Sequence, residues 1–379
     1  MITVPLEAPI ALDAAPVAGR VSLVVPCYNV EKYFNEFLQS VLDQDYPDLE
    51  VVLVNDGANA ATTQALRDAV APLRARGWVV KLVEQTNKGL GGAVDAGLKY
   101  VSGEFLMWPD PDDWLLPGSL TRRVVLMRDN PDVGLLRSNC QLFIEANQEF
   151  EGHFMPIDAP AARVPSLFED LLFQRFFYGP VCHFVRCALF WQVHPDRTIW
   201  FSKASSQNFQ LLVPFVERFP VLQVPDVLAT YRIREDSRSR APTKTHEKLM
   251  DRHEQLFELT MHTLPKLQTY SPERASRVAN YHWRTKMLPT AIRAKMQEKG
   301  RTLIEQAEIS SWRKALARAS LQLRCAHTFD AIDQRTGRIA SRVLARTLDA
   351  AVRMPEAHVR WGDGPLWGGA TTTPQKAAE

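Results

Sequence analysis

Cysteine is scarce in this chain: Cys27, Cys140, Cys182, Cys187 and Cys325 are its five cysteines in 379 residues. They form no CxxC pair and no His/Cys cluster, which argues against a disulfide framework and against a structural zinc site. A reducing, cytoplasmic setting is the simplest expectation. Long apolar runs are missing too. No stretch reaches the roughly 18 apolar residues of a membrane-spanning helix, and residues 1–20 lack the basic start and apolar core of a signal peptide. No G-x-G-x-x-G loop follows the first apolar run, where Pro26-Cys27-Tyr28-Asn29 stands instead. That makes a nicotinamide-dependent oxidoreductase improbable. No internal repeat is visible.

What is present describes a globular protein with ample core, 46% hydrophobic and 23% charged, with a net charge of +2. The charge is unevenly spread. Residues 241–360 carry 22 Lys and Arg against 12 Asp and Glu, whereas residues 1–240 have a net charge of −7. Two parts with different work are therefore expected. Residues 1–20, rich in Ala and Pro, read as a flexible arm, and residues 361–379, rich in Gly, Thr and Pro, as a disordered tail.

Between residues 21 and 137 short apolar runs alternate with amphipathic stretches. Strands are expected at Val21–Val25, Glu50–Val54, Trp78–Val83, Glu104–Trp108 and Val133–Arg137, and helices at 30–43, 60–76, 89–101 and 117–129. Uninterrupted apolar strands alternating with helices specify an α/β fold with a mostly parallel sheet between helices. Residues 145–201 are irregular and aromatic. A further helix is expected at 205–218, strand-like runs at 221–224 and 227–231, and an almost wholly helical extension from 243 to 353.

Ligands of such sheets bind beyond the carboxyl ends of the strands. Three polar clusters fall there: Pro26-Cys27-Tyr28-Asn29, Asn55-Asp56-Gly57 and Asp110-Pro111-Asp112-Asp113. Three carboxylates within four residues repel one another, and a hard divalent cation that also holds phosphate oxygens offsets that cost. The alternative for this run is a solvated acidic turn, since Asp and Pro are ordinary turn residues.

These residues carry a resemblance. Val21–Asn29 resembles the opening strand and P-x-Y-N loop of family 2 glycosyltransferases with the GT-A fold. Val51–Gly57 resembles their second strand, Asn87–Leu98 their N-x-G helix start, Gly103–Asp113 their G-E-F…D-x-D-D segment, and Tyr231–Ser239 their Y-R-x-x…S-x-S stretch. The five motifs occur in order over residues 21–240, the expected GT-A domain; residues 241–360 form the expected helical extension without an assigned counterpart.

The resemblance implies an inverting transfer of a sugar from a nucleotide diphosphate donor, UDP foremost, to a saccharide or lipid-linked acceptor, as in polysaccharide biosynthesis. It implies Mg²⁺ or Mn²⁺ held by Asp110, Asp112 and Asp113. Donor contacts are expected from Pro26, Tyr28, Asn29, Asp56, Asn87, Lys88, Gly89, Asp110, Arg232 and Arg234. Each has a structural alternative: a buried role for Tyr28, a helix cap for Asp56, a tight turn or packing for Gly89, Gly91 and Gly92, and salt bridges to Glu235 or Asp236 for the two arginines.

The chain also departs from the family. Val94 and Asp95 stand where Arg and Asn are common. An acidic E-D pair, the usual neighbourhood of the catalytic base, is replaced by Ser206-Gln207-Asn208-Phe209-Gln210, a Q-N-F-Q variant. Gln207 and Asn208 orient a hydroxyl but take no proton at neutral pH. Asp170, Glu169 and His183 are the titratable candidates nearby, with a core role the commoner fate for His183. A catalytically silent nucleotide-sugar-binding protein is the rival reading. In the extension, residues 335–353 place Ile339, Val343, Leu344, Leu348 and Val352 at helical spacing beside Arg338, Arg342, Arg346 and Arg353. A helix packed on the domain is favoured over peripheral contact with the inner face of the cell membrane. Nucleic acid is not an expected partner, because aromatics do not interleave with the charges.

Overall fold

The computed structural model describes residues 8–322 apart from 166, 175–178, 204–205, 235–244, 295 and 309–310. The segment 335–353 and the tail at 361–379 therefore lie outside the described residues. β1 (Val17–Cys27), β2 (Leu49–Asp56), β3 (Val79–Gln85) and β4 (Gly103–Met107) form the parallel heart of the sheet, in the order β3-β2-β1-β4. β2 is buried at every position, as a strand covered on both faces must be. The helices α1 (Phe34–Leu42), α2 (Ala60–Ala75) and α3 (Gly89–Leu98) make the crossovers.

Beyond β4 the sheet departs from the expected simple alternation. β5 (Trp114–Leu115) is a short piece, α4 (Ser119–Asp129) follows, and β6 (Leu135–Ile144) is longer than predicted. After β7 (Glu149–His153), β8 (Ala162–Arg163) and α5 (Leu167–Leu172), the four residues of β9 (His183–Arg186) insert antiparallel between β4 and β6. The aromatic stretch thus hides a strand. α6 (Cys187–Phe190) and α7 (Asn208–Arg218) lead into β10 (Val221–Ile233), which runs parallel to β6 and antiparallel to β5.

Two apolar layers sandwich the sheet. One gathers Phe34, Leu66, Leu120 and Val124 from α1, α2 and α4; the other gathers Val94, Leu98, Leu211 and Phe215 from α3 and α7. The helical extension comprises α8 (His246–Thr263), α9 (Pro272–His282), α10 (Leu288–Arg293), α11 (Gln297–Gln306) and α12 (Ser311–Gln322). Its starts follow capping rules: Thr245 accepts from Lys248 N–H, and Ser271, ahead of Pro272, accepts from Arg274 N–H. Leu259 of α8 and Val278 of α9 join the second apolar layer, so the extension shares core with α7. Among the described residues no helix is long and apolar enough to cross a membrane.

Candidate functional site at the carboxyl ends of β1, β2 and β4

The chain leaves β4 through Trp108 and Pro109 and folds straight into a turn. Asp113 N–H donates to the Asp110 carbonyl at 3.2 Å. Asp at the first and Pro at the second turn position suit that geometry, and Pro111 occupies the second. Folding back over four residues brings side chains from Asp110, Asp112 and Asp113 together, with one oxygen from each within 4.8 Å of the others. β5 follows at once and pairs with β10, fixing the turn to the sheet. Arg232 N–H on β10 donates to Asp113 Oδ1 at 2.9 Å, and Arg232 Nε donates to the Asp112 carbonyl at 2.9 Å.

Asp113 is buried, and among the described residues its Oδ2 has no hydrogen-bond partner. Burial, then the charges of Asp112 and Asp110, hold its carboxyl well above the usual carboxylate range; the Arg232 amide pulls the other way. Asp112 is half-buried and paired with Arg234, whose Nη2 lies 2.7 Å from Asp112 Oδ2. The turn therefore crowds three carboxylates at one strand end, of which Asp113 has no ion-pair partner among the described residues. Three oxygen donors, one orphaned and buried, fit a hard divalent cation.

The remaining expected donor residues divide into those on the rim and those tied up in the fold. Tyr28 is 50% exposed, which removes its buried alternative. Asn29 has φ 52°, and its Oδ1 accepts Asn59 N–H at the start of α2. Pro26 sits inside the sheet opposite Val54. Lys88 is exposed, and Asn87 Oδ1 accepts Gly89 N–H at 3.1 Å.

Asp56 is held by three protein donors. Its Oδ1 accepts from Gln85 Nε2 at 2.7 Å and Lys88 N–H at 2.8 Å, and its Oδ2 accepts Gly89 N–H at 2.9 Å. The carboxylate caps the N-terminus of α3 from the neighbouring strand end, and a negative charge is favourable there. The cap reading, applied to α3, describes Asp56. Gly89 N–H is correspondingly spent on protein oxygens rather than presented to a phosphate. Gly89 has φ 81°, and a Cβ there would sit 2.2 Å from the Lys203 carbonyl oxygen, so this glycine serves a close approach of two chain segments.

Arg232, expected on the diphosphate, is buried instead. Its guanidinium bonds Glu36 and Glu145 and lies 4.8 to 5.2 Å from the ring centroids of Tyr33, Trp114 and Phe143. Its work is to brace the acidic turn from below. Arg234 reaches Asp112 over the Tyr33 ring; Glu235 and Asp236, its expected alternative partners, lie outside the described residues. Neither partner of Arg232 was foreseen, because Glu36 and Glu145 stand 196 and 87 residues from it in sequence.

At α7, Asn208 Oδ1 accepts Trp108 Nε1–H at 2.7 Å, joining the helix start to the end of β4. Gln207 is buried, and among the described residues neither its Oε1 nor its Nε2 has a partner. His183 lies with its ring 6.5 Å from that of Trp108. It is buried, and burial followed by the charges of Arg137 and Arg123 lowers its affinity for protons well below the usual value. Asp170 is half-buried on α5, and Glu169 pairs with Arg274 at 3.5 Å. Val94 is core and Asp95 is structural: its oxygens take Ile199 N–H and the Lys99 ammonium.

Comparison with known proteins agrees with this architecture. Residues 22–190 match the sequence model described as Glycosyl transferase family 2. An uncharacterized glycosyltransferase of Nostoc is 31% identical over 153 residues, covering 40% of this chain and 44% of that protein. Glycosyltransferase GlyA of Streptococcus pneumoniae is 34% identical over 99 residues, covering 26% and 14%. The chain thus spans less than half the length of each of these relatives. Among solved structures, S. aureus TarS 1-349 in complex with UDP-GlcNAc superposes with a TM-score of 0.56 at 19% identity, covering 84% of this chain and 92% of that one. The fold is GT-A.

Proposed function

We propose, for a chain whose residues 22–190 form a family 2 glycosyltransferase domain, that it moves a sugar with inversion from a nucleotide diphosphate donor to a hydroxyl of a glycan or lipid-linked acceptor. The observation that carries this reading is the acidic turn, where three carboxylates converge at a strand end and Asp113 Oδ2 is left buried and unpaired. That TarS, of the same fold, is a complex with UDP-GlcNAc supports a uridine donor.

Asp110, Asp112 and Asp113 would hold Mg²⁺ or Mn²⁺, and the cation would stabilise the negative charge that grows on the departing diphosphate. The protein's own part is to fix the turn through β5, β10 and the Arg232 amide, so that the oxygens need no rearrangement. Tyr28 offers an exposed aromatic face to a base, and Lys88 an exposed ammonium to the phosphates. Arg234 holds Asp112 and stands close enough to the turn to pass to a phosphate oxygen when donor arrives.

Inversion needs a proton acceptor for the incoming hydroxyl. Asn208 is committed to Trp108, and neither it nor Gln207 takes a proton at neutral pH. His183 is closed off from solvent. Glu169 is paired with Arg274, and Asp170, the other carboxylate among the candidates, is the base to test.

The rival reading, a nucleotide-sugar-binding protein without turnover, is favoured by the Q-N-F-Q variant. One experiment separates them. Nucleotide sugars are added with Mn²⁺, Mg²⁺ or EDTA, and thermal stability and released nucleotide diphosphate are both read. Transfer or donor hydrolysis that disappears in Asp112→Asn supports the enzyme. Metal-dependent stabilisation without turnover on any acceptor supports the binding protein. If no nucleotide diphosphate sugar stabilises the chain in the presence of metal, both readings fail.

A further inference from the structure

We propose that the hairpin of α8 and α9 carries a second, separate site that binds an oxyanion of the phosphate class, formed by His253, His282 and Lys286. The two helices are antiparallel neighbours, and ring contacts fix their register. Phe257 of α8 lies 5.9 Å from His282 and 5.8 Å from Trp283. One turn earlier on α8 is His253, and one turn later on the facing segment is Lys286. The same register therefore sets an imidazole opposite an ammonium.

The backbone there is unusual. Trp283–Met287 form a π-turn closed by the Leu288 N–H to the Trp283 carbonyl. Such turns cost regular hydrogen bonding and concentrate at functional places. His282, at the entry to the turn, is 1% exposed, and among the described residues its Nε2 has no partner.

Lys286 and His253 have no ion-pair partner among the described residues, and the adjacent Glu254 is occupied by Lys299 at 2.6 Å. Burial, followed by the Lys286 charge, pushes both His253 and His282 down to about 4. Lys286 is itself lowered by burial and by Arg252. Lys286 and the two histidines, held together without an ion-pair partner among the described residues, repel one another when protonated and cost stability. An oxyanion turns the repulsion into attraction: the ammonium supplies charge and neutral imidazoles supply N–H donors. None of these residues belongs to the acidic turn, so the site does not depend on the reading of that turn.

The test uses the full chain in EDTA, with millimolar inorganic phosphate against chloride at matched ionic strength. Asp112→Asn serves as background so that the donor site is disabled. Phosphate is expected to raise the Tm by on the order of 3 °C, and Lys286→Gln and His253→Gln to remove most of that rise while Lys286→Arg keeps it. If Lys286→Gln does not fold, broadening of the free phosphate ³¹P signal by His253→Gln against its parent gives the same comparison. Sedimentation with vesicles of equal parts phosphatidylglycerol and phosphatidylcholine, against phosphatidylcholine alone, identifies the source. Binding that Lys286→Gln abolishes assigns a lipid headgroup, and a phosphate response without vesicle binding assigns a soluble phosphate. A phosphate response equal in parent and Lys286→Gln, or none in the parent, overturns the proposal.

Discussion

The two ends of the same parallel strands treat a buried carboxylate in opposite ways. At the amino end Glu50, fully buried, receives Ser22 Oγ at 2.5 Å, Ser102 N–H at 2.7 Å, Ser102 Oγ at 2.7 Å and the Lys81 ammonium at 3.0 Å. Lys81 in turn donates to the Tyr100 carbonyl. At the carboxyl end Asp113, equally buried, has one amide on Oδ1, an orphaned Oδ2 and two further carboxylates beside it. Burying a charge costs several kcal/mol unless it is paired. Glu50 offsets that cost within the protein and contributes architecture. Asp113 leaves it outstanding among the described residues, as the proposed cation site requires.

The contrast is broken most forcefully from the amino end. Glu50→Ala strips Lys81 of its counter-charge inside the sheet, and the expected loss is about 3–5 kcal/mol, read as a shift in the denaturant midpoint. Any protein that still folds should keep its affinity for donor. At the other end, Asp113→Asn is expected to do the reverse. Metal-free stability should stay within about 1 kcal/mol of the parent or rise, because the substitution removes a buried repulsive charge. Metal-dependent turnover should fall by about 100-fold or more. A stability loss at Asp113 as large as that at Glu50 would show both ends to be architectural.

Both ends were only partly legible in the sequence, for different reasons. The strands β1 to β4 announce themselves because burial on both faces demands unbroken apolar runs, as in Val51-Val52-Leu53-Val54. The acidic turn is legible because Asp110-Pro111 is turn chemistry and three carboxylates crowd a strand end. Helix starts are less so: α1 begins at Phe34 and α7 at Asn208, about a turn later than periodicity indicated. Neither has a side-chain cap to mark it. The antiparallel β9 was hidden because four residues carry too little pattern to stand out among aromatics. The fates of Asp56 and Arg232 were invisible for another reason. Their partners (Lys88 and Gly89, Glu36 and Glu145) come from other elements, and a side chain's motif says nothing of what tertiary structure brings to it.

A subtler effect is expected with pH in metal-free protein. The folded state holds Asp113 above the unfolded value of 3.8, so the folded state binds its proton more tightly. The stabilising contribution is complete below that unfolded value and is lost as pH rises through the folded one. In EDTA, Tm should therefore carry a component that declines from about pH 4 upward, and Asp113→Asn should lack it. Mn²⁺ should reverse the decline, because the cation selects the ionised carboxylate. An identical pH profile for the parent and Asp113→Asn would mean that the charge at this end is already answered within the protein.

The smallest expected effect concerns Arg234, a cation of the chain itself that reaches a carboxylate of the acidic turn. Arg234 pairs with Asp112 at 2.7 Å, with both side chains less than one-fifth exposed. Partly exposed pairs of this kind contribute on the order of 1 kcal/mol or less, so Arg234→Gln should scarcely change folding. Its consequence should be competitive. A divalent cation must take Asp112 from the guanidinium, and removing the guanidinium should tighten Mn²⁺ binding a few-fold, as read by calorimetry without nucleotide. Donor affinity should move the opposite way, since a nucleotide diphosphate gains the arginine that its cation displaces. Opposed changes in metal and donor affinity would make Arg234 a stand-in that yields its carboxylate on binding. Parallel losses of both would instead place it beside Arg232, as part of the brace.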